Sequence, residues 1–322
     1  MTTQPPQPKT PEYGRFRYPR VFIGKEARRF LQYLIVRGLL AMASLMPIRF
    51  AQKLGGLLGS VLFPLSRRER GICLYNLGLA FPELNGKARK KLARKAFQHL
   101  GTTLFEVLLA PRFRTQASRW IRVEGEDVIK EAHAMGRGVV LVTGHMGNWE
   151  LFSAVFETLK IPAQAMVRGI VNERIGELLM KHRLSPFLKP LIRGSSGAPR
   201  QLLSCLRSGE VLIVAIDQDI ETQGVFVDFF GIPAHTPRVA SALALRQKTP
   251  LVTGFGQRMP DGTHVFKFER IPVTKEIQEH PDAMHELTQL LTNKIEAQIR
   301  CVPEQWGWNH RRWKRRPLKT QK

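Results

Sequence analysis

The chain has 322 residues of which 43% are hydrophobic, enough for one larger α/β domain or two small ones and too apolar for a disordered polymer. Lys and Arg number 50 against 26 Asp and Glu, and the formal charge of +24 asks for an anionic partner: nucleic acid, an anionic membrane surface or a phosphorylated substrate. The three cysteines, Cys73, Cys205 and Cys301, are too few and too far apart for a disulfide framework and point to a reducing compartment.

Residues 1–29 read as a flexible basic arm, rich in Pro, Thr and Gln, without the early apolar core of a signal peptide. Residues 30–115 read as an N-terminal membrane-associated helical region. Its run from Phe30 to Pro47 approaches the roughly 20 residues that cross a bilayer. Arg37 interrupts the run, at about 2.5–3.5 kcal/mol for a centred arginine. Cations on both flanks (Arg28, Arg29; Arg49, Lys53) suit a helix lying in one leaflet's interface, with a buried core helix as the bland alternative. Leu54 to Leu65 is apolar but too short to span, and Arg67-Arg68-Glu69-Arg70 follows it. Asn85 to Pro111 has a basic start and apolar positions at Leu92, Phe97, Leu100, Leu104 and Leu108, which predict a helix ended by Pro111.

Residues 116–317 read as an α/β domain in which strand-like runs (Gly138 to Thr143, Val211 to Ile216, Leu251 to Phe255) alternate with helical ones, leaving 318–322 as a tail. The most informative stretch is Gly138-Val-Val-Leu-Val-Thr-Gly-His-Met-Gly-Asn-Trp-Glu150. A buried strand would end at Thr143 and a helix would begin near Trp149, which puts His145 at the carboxyl edge of a sheet, where ligands bind in open α/β folds. An imidazole and a carboxylate five positions apart suit proton abstraction from a hydroxyl, with His145 as base and Glu150 fixing its tautomer. A structural histidine beside a first-turn acid is the competing reading. A zinc site lacks the second helical histidine or the Cys-x-x-Cys pair that it needs.

Asp217-Gln-Asp219 ends another buried run, so these carboxylates either join the site or are solvated turn residues. Gly224-Val-Phe-Val-Asp-Phe-Phe-Gly231 is ordinary core or the lining for an acyl chain. Gly194-Ser-Ser-Gly-Ala198 falls short of a serine-hydrolase elbow, because Ala198 replaces the last glycine and no strand precedes it. Pro303-Glu-Gln-Trp-Gly-Trp-Asn-His-Arg-Arg-Trp-Lys-Arg-Arg-Pro317 interleaves aromatic and cationic side chains. It could stack on nucleic acid, sit at a membrane interface, or pack onto the domain through cation–π contacts.

Taken together, His145-Met-Gly-Asn-Trp-Glu150, Asp217-Gln-Asp219 with Val225-Phe-Val-Asp-Phe-Phe-Gly231, Pro303-Glu-Gln-Trp with His310-Arg-Arg-Trp-Lys314, and Asn76 with Phe81-Pro-Glu83 resemble the lipid A biosynthesis acyltransferases, the late lauroyl and myristoyl transferases with a His-x4-Glu signature. The likeness runs from about Phe30 to Pro317. It implies a mixed sheet flanked by helices of the glycerolipid-acyltransferase type, an N-terminal membrane-associated helix, an inner-membrane location and a catalytic domain facing the cytoplasm. It also implies no resident cofactor, with an acyl carrier protein thioester or acyl-CoA as co-substrate, and a membrane lipid, acyl carrier protein and an anionic membrane surface, rather than nucleic acid, as partners. His145 and Glu150 would be catalytic; Arg168, Arg183, Asp217 and Asp219 would serve the oxyanion, phosphates or acceptor. Trp306, Trp308, Arg311, Arg312 and Trp313 would touch lipid. The chain departs from the family after Arg168, where Gly-Ile-Val-Asn172-Glu173 stands in place of Arg-Pro and Asn-Pro.

Overall fold

In the computed structural model, which describes residues 24–169, 172–195 and 197–317, a helical layer precedes the sheet: α1 (Lys25–Leu45), α2 (Ile48–Leu65), α3 (Arg67–Ala80), α4 (Gly86–Leu108), α5 (Ala110–Thr115) and α6 (Ala117–Trp120). Most of the expected arm and all of the tail lie outside the described residues. Helices α2 and α4 cross with their backbones touching, because Gly55 and Gly59 face Gly101 and Phe97. A Cβ on Gly59 would stand 2.1 Å from the Phe97 carbonyl oxygen, so no larger residue fits there. Asn85 caps α4 by accepting from the Ala88 amide at 2.9 Å. Pro111 does not end this helix, as the sequence suggested. It sits in the first turn of α5, where its missing N–H costs nothing.

The remaining elements are β1 (Ile121–Glu124), α7 (Glu126–Ala134), β2 (Val139–Thr143), a 3₁₀ turn (Trp149–Leu151), α8 (Phe152–Leu159), β3 (Ala163–Arg168), α9 (Glu173–Arg183), β4 (Leu188–Arg193), α10 (Ala198–Arg207), β5 (Val211–Ala215), β6 (Gly224–Phe229), β7 (Ile232–Pro237), α11 (Val239–Gln247), β8 (Leu251–Arg258), β9 (His264–Ile271), α12 (Lys275–Glu279) and α13 (Ala283–Cys301). Seven strands form one sheet in the order β1-β9-β8-β2-β5-β3-β4, parallel except where β9 runs against β8; β6 and β7 make a separate hairpin. The fold is thus α/β with a mixed sheet flanked by helices. Every residue of β2 is buried, as a central strand covered on both faces requires. The register sets Thr143 opposite Ala215, so positions 145 and 217, each two residues past a strand end, emerge side by side.

No helix among the described residues is long and apolar enough to cross a membrane. Helices α1, α2 and α4 nevertheless turn large apolar side chains outward, among them Ile35 and Met42, Phe50, Leu57, Val61 and Leu65, and Leu104. The C-terminal segment does the opposite. Trp306, Trp308 and Trp313 are buried with Phe81, Phe229 and Phe230 in one core cluster.

Candidate active site

His145 follows the central strand, and its ring is fixed from the neighbouring one. The Nδ1 lies 2.7 Å from Asp217 Oδ1, while the His145 amide donates to Oδ2 at 2.6 Å. Trp306 Nε1 donates to the same Oδ2 at 2.8 Å. With its side chain wholly shielded and three donors converging on it, Asp217 accepts the Nδ1–H hydrogen bond of a neutral imidazole, which keeps its proton on Nδ1 and leaves Nε2 as the free base. Burial would raise the Asp217 pKa, but the charge and hydrogen bond of His145, with His310 and Trp306, hold it well below the carboxylate range. Burial likewise pulls His145 down, yet Asp217 more than offsets this and its pKa is raised. The His145 side chain keeps 27% of its surface exposed, so a substrate can reach it.

Sequence spacing assigned Glu150 to orient the base, and the geometry assigns that contact to Asp217. Glu150 instead grips Arg183 from α9 in a two-point ion pair, Nε to Oε2 at 2.6 Å and Nη2 to Oε1. Its charge still reaches His145 as one of the smaller influences raising that pKa. Asp217, expected to serve the oxyanion, phosphates or acceptor, thus makes the contact expected of Glu150, because the neighbouring ends of β2 and β5 bring it against the ring.

The loop between His145 and Glu150 is clamped on several sides. Gly147 has φ 57°, and a Cβ there would meet the Gly256 carbonyl oxygen at 2.0 Å. Its amide donates to the Gln305 carbonyl at 2.9 Å, and the Gly307 amide donates to the His145 carbonyl at 3.1 Å, so the C-terminal segment runs along the catalytic turn. The Trp149 ring packs edge-on against His145 at 5.1 Å between centroids.

The other expected contacts divide. Arg168 stands exposed at the end of β3, on the same sheet edge as His145, although Ile170 and Val171 of the variant stretch lie outside the described residues. Asp219 does not face the site: it binds Arg315, with Nε at 2.9 Å and the backbone amide at 2.8 Å. The expectation of lipid contact fails for Trp306 and Trp308, each 1% exposed, and for Trp313 and Arg312, which are also buried. Arg312 donates to the His235 carbonyl at 2.6 Å and to Thr236 Oγ1 at 2.5 Å, and stacks 4.9 Å above Phe229. Burial lowers its pKa to about 10. Of the five, only Arg311 is exposed. This is the cation–π packing reading, and Asn76 completes it by donating to the carbonyls of Trp308 and His310 at 2.9 and 2.6 Å.

Sheet, edge and reachable imidazole define an α/β enzyme whose chemistry gathers at the carboxyl ends of β2 and β5. The family model described as bacterial lipid A biosynthesis acyltransferase matches residues 23–315, and the chain belongs to that family of O-acyltransferases. It is similar to the lipid A biosynthesis lauroyltransferase of Escherichia coli K12, 30% identical over 285 residues, covering 87% of this chain and 90% of the relative. The lipid A biosynthesis palmitoleoyltransferase of the same organism is 28% identical over 270 residues, with coverages of 82% and 85%. A phosphatidylinositol mannoside acyltransferase of Mycobacterium tuberculosis H37Rv matches more narrowly, 27% over 132 residues, or 40% and 42% of the two chains.

Proposed function

We propose that this chain moves a fatty acyl group from an acyl carrier protein thioester to a hydroxyl of a lipid A precursor at the cytoplasmic face of the inner membrane. The observation that carries the chemistry is the 2.7 Å contact of His145 Nδ1 with Asp217, which leaves Nε2 basic and reachable. His145 Nε2 takes the hydroxyl proton as the oxygen attacks the thioester carbon. The tetrahedral intermediate then collapses, the C–S bond breaks, and the leaving thiolate recovers that proton from the imidazolium. The amides of His145, Met146 and Gly147 already donate to Asp217, Gly144 and Gln305, so the oxyanion is left to a guanidinium. Arg183, held by Glu150, is our choice, with Arg168 meeting acceptor phosphate.

The outward apolar residues of α1, α2 and α4 beside the cations Arg49, Lys53, Arg67 and Arg68 support attachment to an anionic bilayer. The narrower likeness to a mannoside acyltransferase keeps a different glycolipid acceptor as the second reading. Mass spectrometry of lipids from cells with and without the protein decides between them. Loss of a lipid A species one acyl chain heavier than its precursor supports the first reading, and an unchanged lipid A profile with an altered glycolipid supports the second.

A further inference from the structure

Behind the catalytic loop, on the side of the helical layer, lies a second carboxylate that the chemistry above does not use. Glu106 of α4 has no exposed surface, yet donors from several parts of the fold meet on it. Its Oε1 accepts from Gln52 Nε2 of α2 at 2.7 Å, Arg258 Nε of β8 at 2.8 Å and His264 Nε2 of β9 at 3.1 Å. Its Oε2 accepts from Arg258 Nη2 at 2.6 Å and from Asn148 Nδ2 at 2.9 Å. Burial alone would raise its pKa, but His264 and Arg258 outweigh burial and hold it well below the carboxylate range.

Two lines run from this carboxylate to the loop that carries His145 and Glu150. The first passes through Asn148, whose Oδ1 accepts the Glu150 amide at 3.2 Å and so caps the turn that presents Glu150 to Arg183. The second passes through Arg258, whose Nη1 donates to His99 Nδ1 at 2.6 Å; His99 Nε2 then donates to the Gly147 carbonyl at 3.0 Å. That direction requires a neutral His99, and burial with Arg258 lowers its pKa to about 3. A buried ion pair is a poor way to gain stability, because apolar groups of similar shape usually serve as well. Its value lies in fixing one arrangement, and here the arrangement fixed is that of the loop.

We propose that Glu106 is a positioning residue of the acyl-transfer centre, holding the middle of the His145 to Glu150 loop through Asn148 and through the Arg258–His99 chain. The inference rests on the catalytic reading of His145. Two substitutions in the full chain test it, with lauroyl-acyl carrier protein as donor and a lipid A precursor as acceptor in detergent micelles. Asn148→Ser keeps a capping oxygen for the Glu150 amide but is too short to reach Glu106. Glu106→Gln removes the charge that gathers the donors. Both should lower kcat by about 10- to 100-fold, the scale of a small misplacement of reacting groups, while the donor KM stays within about threefold. Asn148→Ser should stay folded at the assay temperature, with a melting temperature lowered by a few degrees for the lost donor to a buried carboxylate.

Folded Asn148→Ser with the parent's kcat, or a defect confined to KM, overturns the proposal, and it decides the matter alone if Glu106→Gln does not fold. His145→Ala run alongside separates the two claims. An inactive His145→Ala beside a fully active Asn148→Ser overturns this inference only, whereas an active His145→Ala overturns the catalytic reading beneath it.

Discussion

Two acid–base pairs stand a few residues apart at the sheet edge and differ in how their carboxylates meet water. In the inner pair Asp217 is fully shielded and is bound by Trp306 and by His145, whose side chain keeps 27% of its surface exposed; in the outer pair both members, Glu150 and Arg183, are partly open, at 14% and 23%. The shielded carboxylate suits orienting a base, because a low local dielectric strengthens its hold on the imidazole. The outer pair, open at both members, suits a group that arrives charged, since its guanidinium can turn to an oxyanion or phosphate while Glu150 keeps it in place. Burial of the carboxylate, more than proximity in sequence, separates the two pairs.

Removing the inner pair should have the largest effect. His145→Ala and Asp217→Asn should each lower kcat on the order of 10³- to 10⁴-fold, the range for losing a general base or its correct tautomer, with the folded state intact by circular dichroism. Breaking the outer pair should cost less and differ in kind. Arg183→Met should reduce kcat by about 10²- to 10³-fold, as for one oxyanion donor, with steady-state kinetics as the check. It leaves Glu150 unpaired near His145 and therefore should not move the acid limb of the pH profile downward. A downward move would merge the two pairs into one unit.

How the site divides was only partly legible in the sequence. The strand-turn-helix around His145 could be read because β2 is an uninterrupted apolar run and Gly144 and Gly147 bracket the histidine. The partner of His145 could not, since a pairing across 72 residues depends on the register of β2 against β5, and spacing along one turn favoured Glu150. One available signal was that Val139–Thr143 and Val211–Ala215 are both buried runs followed two residues later by His and Asp. The tryptophan-rich C terminus misled for a related reason. Interleaved Trp and Arg suit lipid and core equally, and what favours the core is the set of acceptors the fold supplies: the Asp217 carboxylate for Trp306, the Pro303 carbonyl for Trp308, and the His235 carbonyl with Thr236 Oγ1 for Arg312. The Glu106 cluster left no pattern, because its members are scattered from Gln52 to His264.

Smaller effects should fall outside both pairs. On α2, replacing Leu57, Val61 and Leu65 with Ser removes apolar side chains that are 50–69% exposed and touch neither pair. Sedimentation with anionic liposomes should show binding weakened by about tenfold or more, given ~1.5–3 kcal/mol for burying one such side chain completely, while transfer in detergent is kept. Unchanged binding would remove this face from the membrane contact. Least of all should follow from the thiols. Burial pushes Cys73 and Cys205 up to about 12, so neither is a thiolate at neutral pH, and iodoacetamide should label exposed Cys301 with activity retained. An acyl group trapped on any cysteine during turnover would replace direct transfer with a covalent route.

The pH dependence of kcat/KM, measured for the parent and for Asp217→Asn, tests the inner pair most directly. A base works only when deprotonated, so activity should rise with pH through the His145 pKa, and because Asp217 raises that pKa the parent's acid limb should lie above the ordinary imidazole value of about 6.5. In Asp217→Asn burial acts unopposed by that charge, and the limb should move to lower pH as the maximum rate falls. An acid limb that stays in place when Asp217 loses its charge would contradict the assignment of His145 and Asp217 as the proton-transfer pair.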